Sequence, residues 1–203
     1  MKIKDEQQIA YRRQQMIKEA KLILETEGIE GLSMRRLAQK LQQTPGIVYH
    51  YFKNKDELLL AIVQEGYGRI IRVIQEQAAI ERPVEQKLYY TLKSYMEEML
   101  KEPQIYQIIM QSQHPLVKEN TYILFDGICQ SRSSIQGLCD CIEEGVGQGI
   151  FVCSNIERRA QSIWCSMYGF LERCICEKPN KEIQQEIMEE LLEMLLAGLR
   201  RKV

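Results

Sequence analysis

The sequence predicts an all-α protein of about nine helices. Apolar residues recur at steps of three and four along almost the whole chain, and no alternating strand pattern or Asn-Gly hairpin occurs. The prolines lie where one helical pattern gives way to the next, because proline fits the first turn of a helix and breaks its interior. These breaks are at Pro45, Pro83, Pro103, Pro115 and Pro179.

The first helix is expected from about Ile9 to Glu27. Ile17, Ala20 and Leu24 share one face of it, which is the stripe that a surface helix buries. Gly28 follows directly and can close the helix in a left-handed conformation. The N-terminal part therefore begins with one amphipathic helix.

The second helix is expected to begin at Ser33, whose hydroxyl can cap the first amide groups. Four apolar side chains then follow at positions i, i+3, i+4 and i+7, which places them on one face. They are Met34, Leu37, Ala38 and Leu41.

The third helix restarts after a short turn, with Thr44 as a possible cap and Pro45 in the first helical position. It is only about eight residues long and needs support from neighbouring helices. Val48 and Phe52, four residues apart, would pack it on the second helix. The opposite face carries Pro45, Gly46, Tyr49 and His50.

That opposite face has the chemistry of a recognition helix. Small residues allow close approach to base edges, while a phenol and an imidazole can bond to phosphates or bases. Lys55 lies near the start of the next helix, where its charge and the free amides of the first turn can meet a phosphate. Residues 1–60 hold 11 basic and 8 acidic residues, a charge of +3, against −4 for the rest. An anionic partner is therefore expected at this end.

Residues 16–62 resemble the TetR family of bacterial transcriptional regulators. The resemblance rests on Gly-Leu-Ser-Met-Arg-Arg-Leu-Ala at 31–38 and Leu-Gln-Gln-Thr-Pro-Gly-Ile-Val-Tyr-His-Tyr-Phe-Lys-Asn-Lys-Asp-Glu-Leu-Leu at 41–59. One departure is Gln42, where the family usually has a glycine in the turn, and a left-handed position there costs stability.

The resemblance implies a role for most residues of this helix-turn-helix, which spans 33–52. Tyr49 and Lys55 would bind phosphates, and Phe52 would be core. Thr44, Gly46 and His50 would lie at the groove of the DNA. The residues expected to contact DNA are Ser33, Arg35, Thr44, Pro45, Gly46, Ile47, Tyr49, His50, Tyr51 and Lys55.

The remaining patterns predict a larger helical body. We expect residues 1–54 to form the DNA-binding domain and residues 55–203 a domain for ligand binding and dimerisation. The continuous helix after Lys55 would join them. The helices of the body are expected at about 55–79, 84–101, 103–113, 117–148, 155–177 and 181–201.

The final helix has an apolar arc wider than a surface helix needs. Either it is an internal core helix, or it pairs with a second chain. The resemblance favours pairing, because in that family the last two helices form a four-helix bundle with their symmetry mates, and a homodimer suits a palindromic operator. The interface residues would be Ile183, Ile187, Leu191, Leu195 and Leu199.

Aromatic and methionine side chains occur throughout the predicted body, and some of them carry a hydroxyl or an N–H group. They either fill the core or line a cavity for a small-molecule inducer of unknown identity. The candidate lining is Tyr67, Tyr95, Met96, Met99, Tyr106, Met110, Phe125, Trp164 and Tyr168.

Other functional classes are disfavoured. The pairs Cys139 with Cys141 and Cys174 with Cys176 point about 200° apart on a helix, so neither pair chelates one metal, and the seven cysteines fit free thiols better than disulfides. The glycines at 145–149 lack the lysine of a phosphate loop, and no nucleophile with a base is visible, so we expect no enzyme and no cofactor. No membrane span or secretory signal is visible, which predicts a cytoplasmic protein.

The sequence therefore predicts a homodimeric TetR-like repressor that an inducer releases from a double-stranded DNA operator. The alternative is a helical ligand-binding or interaction protein without DNA function.

Overall fold

The computed structural model describes residues 2–111 and 121–200, and this part of the chain is helical apart from its turns and one isolated bridge between Phe151 and Arg200. The predicted all-α class is confirmed, with ten helices in the described ranges. Their bounds are α1 Lys2–Gly31, α2 Met34–Lys40, α3 Pro45–Tyr51, α4 Lys55–Ala79, α5 Val84–Met99, α6 Pro103–Gln111, α7 Ile128–Ser131, α8 Ser133–Gly147, α9 Ile156–Glu177 and α10 Lys181–Ala197.

The chain packs into two compact units. The first comprises residues 1–67 and 104–121, and the second comprises residues 68–103 and 122–203. The division falls inside α4. The functional boundary that the sequence suggests between residues 54 and 55 stays a prediction, because a compact unit and a DNA-reading module are different properties.

The core of the first unit is built by the apolar faces of α1 to α4. Ile23, Leu37, Val48, Phe52 and Leu58 have no exposed surface and belong to one cluster of buried apolar side chains. Buried apolar area of this kind supplies most of the stability of short helices such as α2 and α3, which are too short to persist alone. The cluster therefore holds the two helices of the predicted helix-turn-helix in place.

The start of α1 differs from the expectation. The helix begins at Lys2, not Ile9, because residues 2–8 are mostly Lys, Gln and Glu, which are good helix formers without an apolar stripe. Gly28 has a φ of 69° as predicted, but its ψ of −175° lies outside the left-handed helical region. Gly28 thus kinks the chain before the short last turn that ends at Gly31.

The single helix predicted over residues 117–148 is wrong. Residues 122–127 are not helical, Gly127 has a φ of 82°, and Arg132 is extended between α7 and α8. Residues 112–120, with His114 and Pro115, lie outside the described residues. Since the break at Arg132 turns the chain back, Cys129 and Cys139 form a disulfide with Cα atoms 6.1 Å apart.

The expectation that all cysteines are free thiols is therefore corrected for this pair. On one straight helix, residues ten apart are about 15 Å apart and cannot bond. The remaining five cysteines are free thiols.

The second unit packs α5, α8, α9 and α10 around a core that includes Leu88, Met96, Ile142, Leu171 and Leu192. Asparagine side chains cap its two longest helices: Asn155 accepts from the amide of Arg158 at 2.9 Å, and Asn180 from that of Ile183 at 2.9 Å. Across the described ranges, no helix is both long and apolar enough to span a membrane.

Candidate nucleic-acid interface

Helix α2 is anchored as the sequence predicted. The Ser33 Oγ accepts a hydrogen bond from the amide of Arg36 at 3.1 Å, which satisfies one of the unpaired donors of the first turn. Met34, Leu37 and Ala38 are buried on the opposite face. The Ser33 hydroxyl remains exposed, so the cap does not remove it from solvent.

The turn between α2 and α3 depends on one strained residue. Gln42 has a φ of 53°, in the left-handed region where glycine is favoured, as expected from the sequence. The amide of Gln43 then donates to the carbonyl of Ala38 at 2.9 Å, which closes the turn. A side chain in this conformation costs about 1 kcal/mol relative to glycine.

Helix α3 begins at Pro45 in its first position, as predicted. Thr44 has the extended backbone of a cap residue, but its hydroxyl accepts no capping hydrogen bond, so the predicted side-chain cap is wrong. Val48 and Phe52 are fully buried, which confirms their place in the core. The hydroxyl of Thr44 therefore has donor and acceptor capacity left for a partner.

The outward face of α3 exposes the side chains that the sequence selected. Tyr49 is 51% exposed and Ile47 39% exposed, and His50 is exposed with its ring edge-on to Tyr51 at 5.2 Å between centroids. A Cβ added to Gly46 would meet only the Thr44 Oγ1, at 4.0 Å, which is ordinary contact. The fold itself therefore does not require glycine at this position.

Two adjacent arginines on α2 differ in their availability. Arg36 donates to both carboxylate oxygens of Glu27, at 2.6 and 3.0 Å, and this hydrogen bonding lowers the pKa of the Glu27 carboxyl. Arg35 is exposed and makes no hydrogen bond or ion pair with any described residue. Arg35, the one predicted to contact DNA, is thus the free cation of the two.

Lys55 is half-buried, and its ammonium donates to the carbonyl of Ile29 at 2.6 Å. Two of its three N–H groups remain for a phosphate. The start of α4 is less open than expected, because Asn54 accepts from the amide of Glu57 at 2.8 Å and Glu57 accepts from that of Lys53 at 2.7 Å. The amide of Glu57, which belongs to the first turn of α4, is therefore already paired and is not one of the free amides that the sequence predicted for a phosphate.

Arg13 of α1 is a supporting residue that the sequence did not single out. Its guanidinium donates to the carbonyl of Tyr51 and lies 4.2 Å from the centre of the Phe52 ring. It also lies 3.7 Å from the carboxylate of Glu57. A cation at the last turn of α3 pairs an otherwise unpaired carbonyl and favours the helix dipole. In the sequence, this role of Arg13 is indicated only by its position shortly before Met16, the first buried residue of α1.

The candidate ligand residues do not form one site. Tyr95 and Trp164 contact each other, with ring centroids 5.0 Å apart, and line a cavity of about 50 Å³ in the second unit. Met96 and Met99 are buried in that unit away from the cavity lining, while Phe125 and Tyr168 are exposed. The others, Tyr67, Tyr106 and Met110, belong to the first unit.

The cavity has a largely apolar wall that includes Leu88, Leu92 and Met167. Its polar members include Lys87, which donates to the carboxylate of Glu144 at 2.8 Å, and this hydrogen bond raises the pKa of the Lys87 ammonium. Burial raises the pKa of the neighbouring Cys141 thiol to about 11. The described residues include no cluster of three or more groups able to hold a metal ion.

The apolar stripe predicted on the last helix is partly exposed to solvent. Ile183 and Ile187 are 44% and 51% exposed, and Leu191 and Leu195 are half-buried. Leu199 is fully buried in its own chain, because α10 ends at Ala197 and the four-residue step no longer holds beyond it. Leu199 is thus corrected from an interface residue to a core residue.

Comparison with known proteins agrees with this geometry at the N-terminal end. Residues 17–62 match the family described as bacterial regulatory proteins, tetR family. The HTH-type transcriptional repressor AcnR of Corynebacterium diphtheriae is 30% identical over 74 residues, which is 36% of this chain and 39% of that protein. The HTH-type transcriptional repressor Rv1474c of Mycobacterium tuberculosis is 29% identical over 75 residues, 37% and 40% of the two chains. The chain thus spans about two fifths of the length of these curated relatives.

Solved structures extend the likeness to the whole fold. The fatty acid degradation regulator FadR from Bacillus halodurans superposes with a TM-score of 0.75 at 18% identity, over 94% of this chain and 97% of that one. A bacterial regulatory protein in the tetR family from Rhodococcus RHA1 gives 0.72 at 20% identity, over 94% and 98%. At these identities the likeness concerns the fold.

Proposed function

Because residues 17–62 match the tetR family of bacterial regulatory proteins, we propose that the chain is a DNA-binding transcriptional regulator of this family in which α3 reads an operator. The observation that carries this proposal is the outward face of α3. Tyr49 and His50 are exposed there, and Gly46 is small although no contact with a described residue requires a glycine at this position. Because glycine has no side chain, this position allows the backbone or the base edges of a partner to approach α3 closely.

Phosphate contacts would hold this helix in register. The hydroxyl of Tyr49, the free guanidinium of Arg35 and the remaining donors of Lys55 are suited to phosphate oxygens, which carry no sequence information. His50 and Thr44 can bond to base edges and so contribute to sequence preference.

The regulator acts as a homodimer in this proposal. Ile183, Ile187 and Met194 on α10 are exposed, and Leu191 and Leu195 beside them are half-buried, so the helix presents an apolar strip to solvent. A second copy of the chain would bury this strip. Two-fold symmetry would then present two α3 helices to a palindromic site with half-sites one or more helical turns apart.

Release by a small-molecule inducer would act through the second unit. The cavity beside Tyr95 and Trp164 has a volume of about 50 Å³, whereas ligand pockets measure roughly 300–1,000 Å³. An apolar ligand would therefore enlarge the cavity and shift the helices that line it. Such a ligand lowers operator affinity only to the extent that it prefers the conformation that does not bind DNA. The word repressor in the names of the relatives supports negative regulation.

The test is a selection of duplexes from random DNA by the full chain at physiological salt. Enrichment of an inverted repeat supports the proposal, whereas failure to enrich any palindromic site refutes it. His50→Ala should change the ranking of the selected duplexes, while Lys55→Ala should weaken all of them about equally.

The alternative is a helical ligand-binding or interaction protein without DNA function. Such a protein would keep the cavity beside Tyr95 and Trp164 but would show no salt-dependent binding to any duplex. Titrating wild-type protein against a duplex at several salt concentrations separates the two, because phosphate contacts release counterions and produce a steep salt dependence.

A further inference from the structure

A second feature of the first unit faces the same side as the recognition helix. Because α1 begins at Lys2, its early turns are present as helix, and three polar side chains lie at positions i, i+4 and i+7 on one of its faces. They are Gln8, Arg12 and Gln15, and all three are exposed.

This face of α1 forms a groove with α3 and the turn before it. The groove has a volume of about 720 Å³, and Met16, Leu41 and Tyr51 form its buried or half-buried part. Its opposite wall shares members with the recognition face. These shared members are Thr44, Gly46, Ile47 and His50.

The groove is lined by a positive charge and by no negative charge among its described residues. Arg12 lies on its wall, and no carboxylate is found among the described residues that line it. Arg12 itself makes no hydrogen bond or ion pair with a described residue, whereas the adjacent Arg13 is held by the carbonyl of Tyr51. The amides of Gln8, Gln15 and Gln43 add further donors.

The shape of the groove indicates a macromolecular occupant and not a small ligand. Small-molecule sites enclose most of the ligand surface. Here most lining side chains are exposed, and the groove opens onto the face that carries Gly46 and His50. An extended anionic chain that already contacts α3 can continue along it.

We propose that this groove holds the sugar-phosphate backbone of the operator strand next to α3, with Arg12 as its phosphate anchor and Gln8 and Gln15 as additional donors. The inference rests on the proposed DNA-binding function and adds a second contact surface to it. The segment of α1 from Gln8 to Gln15 thereby extends the footprint of each subunit beyond the helix-turn-helix.

The experiment compares Arg12→Gln with wild type in the full chain, on the tightest duplex that the wild type selects from random DNA. Loss of one phosphate contact in each of the two subunits should weaken binding roughly 10- to 100-fold. It should also reduce the slope of log K against log salt by about 1.8, which is about 0.9 for each subunit, so that affinity falls about 12-fold less between about 50 and about 200 mM salt. Arg12→Lys keeps the charge and should restore the slope.

Lys18→Gln is the matched control. Lys18 is exposed on α1 and lies outside the groove lining, and its replacement by glutamine removes the same charge as Arg12→Gln. It should leave the affinity and the slope close to wild type. Circular dichroism should show equal helix content in all variants, because neither side chain is buried.

Replacing single phosphates by uncharged methylphosphonates identifies the contact. One position in each half-site should weaken the wild type but have no further effect on Arg12→Gln. If Arg12→Gln binds the selected duplex as tightly as Lys18→Gln, with the same salt slope, the groove proposal is overturned while the proposed function stands. If the wild type enriches no duplex, the proposed function fails and the groove proposal fails with it.

Discussion

Gly46 offers a substitution whose effects on stability and on DNA binding should have opposite signs. It lies in the first turn of α3 with a φ outside the left-handed region, and an alanine Cβ there meets only the Thr44 Oγ1 at 4.0 Å. Glycine in a helix is less favourable than alanine by roughly 0.5–1 kcal/mol, because it loses more backbone entropy on folding. We therefore expect Gly46→Ala to raise the free energy of unfolding by about 0.5 kcal/mol.

For a chain of this length, that change raises the melting temperature by about 1–2 °C. On the DNA the added methyl group occupies space that a base edge or sugar would approach. Loss of one close contact costs about 1–3 kcal/mol, so affinity for the selected duplex should fall at least about fivefold for each subunit. Thermal unfolding and a fluorescence-anisotropy titration measure the two effects on one protein preparation.

Gly68→Ala is the matched control for this pair of measurements. Gly68 lies inside α4, is exposed, and has nothing within 4 Å of an added Cβ. It should give a similar or larger gain in melting temperature and unchanged DNA affinity. If Gly46→Ala is at least as stable as wild type and binds the duplex equally well, DNA does not approach the start of α3, and the assignment of the recognition face is refuted.

Three further predictions concern other parts of the molecule. Gln42→Gly should stabilise the protein by about 1 kcal/mol, because glycine adopts the left-handed turn conformation without strain. Gln43→Gly should destabilise it, because glycine gives the unfolded chain more conformational entropy to lose. Urea titrations in which both variants change the free energy of unfolding in the same direction would refute this. Ile187→Glu should convert a dimer to folded monomer in sedimentation velocity, while the equally exposed Val152→Glu should not, and a dimeric Ile187→Glu protein would place the interface elsewhere. The buried Cys141, whose thiol pKa is raised to about 11, should react with iodoacetamide at pH 8 much more slowly than the exposed Cys165, and equal labelling of the two by mass spectrometry would contradict its burial.

Local patterns predicted the helix-turn-helix well, because its determinants lie within a few residues of one another. The Ser33 cap, the left-handed Gln42 and the burial of Val48 and Phe52 all follow from residue type and helical spacing. The exposed face of α3 follows from the same periodicity, since the residues opposite a buried stripe must face solvent. The pattern was weaker at the start of α1, where polar helix formers carry no stripe.

Contacts between distant segments were not predictable in this way. Arg13 binds the carbonyl of Tyr51, 38 residues away, and Lys55 reaches the carbonyl of Ile29. The disulfide between Cys129 and Cys139 depends on the break at Arg132, which no strong breaker residue marks. Each of these depends on how helices pack, which spacing along the chain does not encode.

The sequence by itself determined the helical class, the place of the short helix α3 and the residue types on its outward face, because caps, prolines and apolar periodicity act locally. Tertiary structure alone decided which of the candidate side chains share a site. It separated Tyr67, Tyr106 and Met110 from the cavity of Tyr95 and Trp164, and it buried Leu199 beyond the end of α10. It also brought α1 beside α3 to form a groove around Arg12. The physical reason is that periodicity tells which face of a helix is apolar, whereas only the packing of helices distant in sequence determines what that face meets.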